Sequence, residues 1–162
     1  MTPAKPKASD AGTPIAPPGQ RDYRIALVGC GRISKNHFDA LAAVEGLSLA
    51  AVCDSDEERA RAAGEAQDVP WFRSYETMLR DSPADVVTIA TPSGLHPQHG
   101  VLAARAGKHV VTEKPMATRW QDAKRMVAAC DAADPIPALG DVIRIAERLQ
   151  QPDAPTRTKR GA

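Results

Sequence analysis

The stretch RIALVGCGRIS, residues 24–34, decides the fold. Arg24 to Val28 is a short apolar run, and Gly29, Cys30 and Gly31 follow at once, which predicts a buried strand ending in a tight turn. A helix is predicted from Ile33 to Val44, with Phe38, Leu41 and Val44 on one face at spacings of three and Gly46 just beyond as its stop.

Further along, the same alternation repeats. The apolar run Leu47 to Cys53 ends at Asp54, Ser55 and Asp56, and Glu57 to Gln67, rich in Ala, Glu and Arg, reads as a second helix. A short strand is predicted at Trp71 and Phe72 and a brief helix from Tyr75 to Arg80. DVVTIA, residues 85–90, is the clearest buried strand, ended by Thr91, Pro92 and Ser93. Leu95 to Ala106 reads as a helix stopped by Gly107, and HVVT, residues 109–112, as a strand before Glu113, Lys114 and Pro115. A last helix fits Arg119 to Ala132. Strands that are apolar throughout and alternate with helices predict an α/β protein of Rossmann type, a doubly wound parallel sheet covered on both faces with right-handed crossovers. Ligands of such sheets sit beyond the carboxyl ends of the strands, and here those ends carry Gly29, Asp54, Thr91 and Glu113.

Composition narrows the function. The chain has 162 residues, near the size of one domain, with 43% hydrophobic and 25% charged residues, as in ordinary soluble proteins. Aromatics at 4% argue against an all-β sandwich or barrel. Lys and Arg number 21 against 20 Asp and Glu, interleaved, so no extended field favours nucleic acid or an anionic membrane as partner. Cys30, Cys53 and Cys130 are far apart and odd in number, and read as reduced thiols in a cytoplasm. No apolar run of about 18 residues occurs, and the first residues given do not show the apolar stretch of a secretory signal, so neither export nor membrane spanning is expected. His96 and His99 have no Cys or carboxylate partners at ligand spacing, so no metal site is expected. Neither a G-x-S-x-G elbow nor a GxxxxGK[ST] loop is present, which removes serine hydrolase and P-loop readings.

What remains is the glycine turn. Gly29 allows the turn, Gly31 lets a pyrophosphate approach the backbone, Ser34 is small enough for helix–strand packing, and the helix points free N–H groups at the anion. Structural turns and S-adenosylmethionine sites share this form, but here the turn follows a strand, opens a helix, and has Asp54 near the expected offset of about 20 residues. A carboxylate there accepts hydrogen bonds from both ribose hydroxyls of an adenosine. With Asp54 and Asp56 together, and no Arg directly after Asp54, a 2′-phosphate is repelled and NAD is expected over NADP. The competing role for Asp54 is to cap the helix that follows it. His37, on the first helix, is as well explained by packing or capping as by function.

Together, VGCGRISKNH at 28–37, CDSD at 53–56, Thr91-Pro-Ser-Gly-Leu-His96 and Glu113-Lys-Pro115 resemble the Gfo/Idh/MocA oxidoreductases, which use nicotinamide cofactors on sugars and related compounds. The resemblance runs from about Tyr23 to about Ala133, and within it GCGRISKNHFDAL is most similar to the UDP-N-acetylglucosaminuronate 3-dehydrogenases of surface-polysaccharide synthesis. It implies that Gly29, Gly31, Arg32 and Ile33 border the diphosphate of NAD, that Asp54 holds the adenosine ribose, and that Thr91, Pro92 and His96 lie along the nicotinamide half. It places Glu113 and Lys114 beside the nicotinamide ring, with Lys114 reaching the reacting sugar hydroxyl as the catalytic residue. A lysine beside a positively charged ring gives up its proton more readily, which suits it to proton transfer. Full-length members of the family are expected to be homo-oligomers.

Residues 1–21, with Pro at 3, 6, 14, 17 and 18, are expected to form a disordered arm, and residues 22–133 the NAD-binding domain. After Ala133 the chain changes character, with a helix expected at 138–150 and disorder beyond. Family members are about twice this length and carry a second α/β domain that holds the substrate. That domain is expected to be missing here, through a frameshift or truncation near Asp134 in preference to a naturally short protein. All four histidines and both tyrosines precede Lys114, so the second domain's general acid/base would be absent and an apolar face left uncovered. Two functions therefore stand side by side, an NAD-dependent sugar dehydrogenase represented by a fragment and a non-catalytic NAD-binding or partner-binding module.

Overall fold

The computed structural model describes residues 22–133; the expected arm at 1–21 and tail at 134–162 lie outside the described residues. The elements run β1 (Tyr23–Val28), α1 (Ser34–Ala43), β2 (Leu47–Cys53), α2 (Glu57–Gln67), β3 (Trp71–Phe72), α3 (Tyr75–Asp81), β4 (Val86–Ile89), α4 (His96–Arg105), β5 (His109–Thr112) and α5 (Trp120–Ala132). All strand pairs are parallel, in the order β3-β2-β1-β4-β5. The chain starts in the middle of the sheet, moves outward through β2 and β3, then returns to the other side of β1. The order thus reverses between β1 and β4, and that is where a crevice opens in such sheets.

Register brings the strand ends level. Val28 lies opposite both Cys53 and Ile89, and Ile89 opposite Thr112. One further rung carries the ladder beyond the strands: Gly29 N–H donates to Cys53 O at 2.8 Å, Ala90 N–H to Val28 O at 2.7 Å and Glu113 N–H to Ile89 O at 2.9 Å. Gly29, Asp54, Thr91 and Glu113 therefore emerge at one edge, as the sequence predicts.

The strands have a period of two that feeds both faces. Ala26, Val28, Val87 and Ile89 meet Tyr75, Met78 and Leu79 of α3 and Ala103 of α4, while Ile25 and Val86 turn the other way onto Leu41 of α1. Met78 and Ile89 are fully buried, each stabilising the fold by about 1.5 to 3 kcal/mol relative to exposure. Small residues do the close work: α4 packs on α5 where Gly100 lets Met126 Cε approach to 2.5 Å of where a Cβ would stand. Among the described residues, Tyr75 is the one Phe, Tyr or Trp side chain in the buried core.

Two elements differ from their sequence reading. The buried face of α1 is Ser34, His37, Ala40 and Leu41, whereas Phe38 and Val44 are half-buried. Two polar side chains take the inner positions because each has a partner there, as described below. The helix expected from Leu95 begins instead as a single 3₁₀ turn, Ser93–Leu95, before α4. At the other end of the sheet order, every residue of β5 is half-buried and Trp120 is 76% exposed.

Candidate functional site

A cleft of about 710 Å³ opens over the ends of β1, β2 and β4. Its walls include Gly29, Gly31, Arg32, Ile33, Asp54, Thr91 and Pro92, all singled out by the sequence. Each is placed by the backbone. Gly29 has φ +97°, and a Cβ there would lie 2.6 Å from Ala90 O and 2.8 Å from Thr91 N, so only glycine lets β1 and β4 end side by side. Gly31 is different: a Cβ there would meet nothing within 4 Å. The absent side chain leaves open space in the cleft wall. At the head of α1, Ser34 N–H and Oγ–H both donate to Gly31 O, at 3.0 and 2.6 Å, and no side chain caps the helix. An uncapped helix start beside an open backbone suits an anion, so these residues fit a dinucleotide diphosphate.

Asp54 is 9% exposed and anchored from several sides. Oδ2 accepts the Cys30 N–H at 2.9 Å, and Oδ1 accepts the Asp56 N–H at 2.9 Å. Burial pushes its pKa up, but these amides and the Arg59 guanidinium outweigh it and hold the carboxyl below its usual range. The capping role falls to Asp56, whose Oδ1 accepts the Arg59 N–H at 3.1 Å. Asp56 is therefore outside the cleft wall, and Asp54 alone of the two acids faces the cleft. No arginine directly follows Asp54, as the sequence reads, but Arg59 in the first turn of α2 pairs with both acids, at 3.1 and 3.3 Å. An arginine five residues on from Asp54 was visible in the sequence once the helix between them is turned.

His96, Glu113 and Lys114 do not line this cleft. His96 is 1% exposed; its Nε2 faces the Thr91 carbonyl at 2.6 Å and its Nδ1 the Pro115 carbonyl at 2.9 Å. It thus ties the loop after β4 to the turn after β5, with neither nitrogen free for a cofactor. Glu113 is half-buried, its Oε1 2.9 Å from His37 Nε2 and its Oε2 accepting the Lys114 N–H at 3.3 Å. Lys114 is exposed. His37 therefore links the helix after the glycine turn to the segment after β5.

Other residues of the wall escaped the sequence reading: Arg59, Arg73, Ser74, Tyr75, Glu76 and His99. They come from α2, from the approach to α3 and from α4, where no motif signals a site. Tyr75 packs against His99 with ring centroids 4.5 Å apart and ring planes tilted by 46°, and donates to the His99 carbonyl at 2.8 Å. Burial first, and then His96, lowers the pKa of His99, and burial raises that of Tyr75. Burial also pushes the Cys30 and Cys53 thiols up to about 12, so neither is a ready thiolate.

Comparison with known proteins gives this geometry relatives. Residues 23–139 match the Gfo/Idh/MocA family, described as an oxidoreductase family with an NAD-binding Rossmann fold. The WlbA dehydrogenase from Bordetella pertussis, solved in complex with NADH and UDP-GlcNAcA, is 52% identical, with a TM-score of 0.68 over 70% of this chain and 35% of that one. The D-apiose dehydrogenase of Paraburkholderia graminis is 41% identical over 112 residues, 68% of this chain and 30% of that protein. The D-glucoside 3-dehydrogenase of Escherichia coli is 34% identical over 112 residues, 68% of this chain and 31% of that protein. The chain thus spans about a third of the length of these relatives.

Proposed function

We propose, from the premise that this chain belongs to the Gfo/Idh/MocA oxidoreductase family, that it is the NAD-binding part of a dehydrogenase acting on a nucleotide-sugar hydroxyl. The observation that carries this reading is the cleft itself, in which the Gly31 opening, the uncapped start of α1 and the Asp54 carboxylate share one wall. Similarity to the WlbA dehydrogenase, solved with UDP-GlcNAcA, supports that compound as the substrate. NAD, when bound, supplies the two-electron acceptor.

The protein's own residues supply position and proton handling. Amides around Gly31, Arg32 and Ile33 would hold the diphosphate, and Asp54 the adenosine ribose. Thr91 and Pro92 shape the wall toward β5. Glu113, held by His37, fixes the segment from which Lys114 extends its amine into solvent. There Lys114 would take the proton from the sugar hydroxyl oxygen, while the hydride on the carbon bearing that hydroxyl would go to the acceptor that NAD supplies, leaving a carbonyl. A sugar pocket of the kind formed by the second domain of family members completes the reaction.

The test joins residues 1–133 to the second domain of a family member and follows NADH formation from UDP-GlcNAcA and related UDP-sugars. Turnover is expected with the joined protein, and Lys114→Met should remove most of it while sparing NAD binding. NADH production unaffected by Lys114→Met would overturn the assignment of the proton-transfer group. NADH production by the unmodified chain would exclude the alternative, a module that binds NAD without turnover.

A further inference from the structure

Asp54 has no acceptor capacity left. A carboxylate offers about four lone-pair positions, and four N–H groups occupy them: Asp56 N–H at 2.9 Å and Arg59 Nη2 at 3.1 Å on Oδ1, and Cys30 N–H at 2.9 Å and Arg59 Nε at 3.4 Å on Oδ2. The two amides are fixed, one by the glycine turn and one by the entry to α2. Ribose hydroxyls can donate to Asp54 only where Arg59 now sits.

Arg59 is free to leave. Its side chain is 54% exposed, it grows from the first turn of α2, and Nη1 already holds a second partner, Asp56 Oδ2, at 3.3 Å. Turned away from Asp54, the guanidinium keeps that partner and leaves its positive charge at the cleft wall, where NADP, held through the same ribose, would bring its 2′-phosphate. A guanidinium pairs well with a phosphate.

We propose that Arg59 is a resident occupant of the adenosine-ribose position, displaced when NAD binds, and that it narrows the preference of the cleft for NAD over NADP. This rests on the reading of Asp54 as the ribose acceptor. Displacing a half-exposed ion pair costs little, so the effect on affinity is modest. Its sign is the informative part.

Calorimetric titration of the full chain with NAD and with NADP tests this, comparing wild type, Arg59→Ala and Arg59→Lys. Arg59→Ala is expected to bind NAD roughly two- to fivefold tighter and NADP more weakly, widening the ratio of the two. Arg59→Lys keeps the charge without holding both carboxylate oxygens, so it should tighten NAD while keeping more of the NADP affinity than Arg59→Ala. Thermal melting of each variant reports whether the fold is retained. Unchanged or weaker NAD binding by folded Arg59→Ala would overturn the proposal, since it would make the arginine a neutral or positive contact. Asp54→Ala separates the two levels: if it binds NAD as well as wild type, the ribose reading fails, whereas its loss of binding with no gain in Arg59→Ala removes only the arginine's role.

Discussion

At the scale of single residues, two glycines two positions apart do opposite jobs. Gly29 sits where a Cβ would strike the backbone of Ala90, in a left-handed conformation as well. Gly29→Ala should therefore destabilise the fold by about 2 kcal/mol or more, read as a lower denaturation midpoint. Gly31 faces open space. Gly31→Val should leave the circular dichroism spectrum and melting temperature close to wild type and abolish NAD binding in a fluorescence titration, because the side chain takes the space a pyrophosphate needs. Normal affinity in the valine variant would make the turn purely structural. Asp54→Ala should weaken NAD binding by about 1.5 to 3 kcal/mol through lost charge-assisted hydrogen bonds.

Between elements, the site depends on ties that cross the sheet edge. His96 spans the loop after β4 and the turn after β5, and its removal takes away the ring whose two nitrogens face the carbonyls of half-buried Thr91 and of Pro115. His96→Ala should cost about 2 kcal/mol or more, measured by urea denaturation, and a loss of less than a few tenths would show that the loops hold without it. Much of this level was legible in the sequence. Apolar runs marked β1, β2, β4 and β5, Gly46 and Gly107 marked the ends of their helices, and the alternation set the parallel sheet. The ties were not. Period alone put Phe38 and Val44 on the inner face of α1, because nothing local says that His37 has a carboxylate 76 positions away to meet. The same blindness hid Arg59, whose partner lies on the preceding strand end, and Tyr75 and His99, which meet only when α3 and α4 share a face of the sheet.

For the molecule as a whole, acid stability follows from what it buries. Burial lowers the pKa of His99 and of His109 from 6.5, reinforced at His99 by His96 and opposed at His109 by Asp85. The unfolded chain then binds more protons than the folded one below pH 6.5, so stability is full above that point and falls as the pH drops toward the folded values. Asp54 and Asp85, held below 3.8 in the fold, add a second loss as pH falls through about 4 and below. Melting temperatures between pH 7.5 and 5.5 should decline, and the paired change His99→Gln with His109→Gln should flatten that slope. A slope of the opposite sign would mean that these rings are charged in the fold. The chain also spans about a third of the length of its relatives, and the cleft over β1, β2 and β4 is where the proposed dinucleotide site lies. Amide chemical-shift mapping during an NAD titration addresses that cleft directly. The largest changes should fall on Gly29 to Ser34, on Cys53 to Ser55 and on Ala90 to Thr91, with smaller ones at Glu113 and Lys114; changes confined to α5 or to the opposite edge of the sheet around Arg24 and Asp85 would contradict the account.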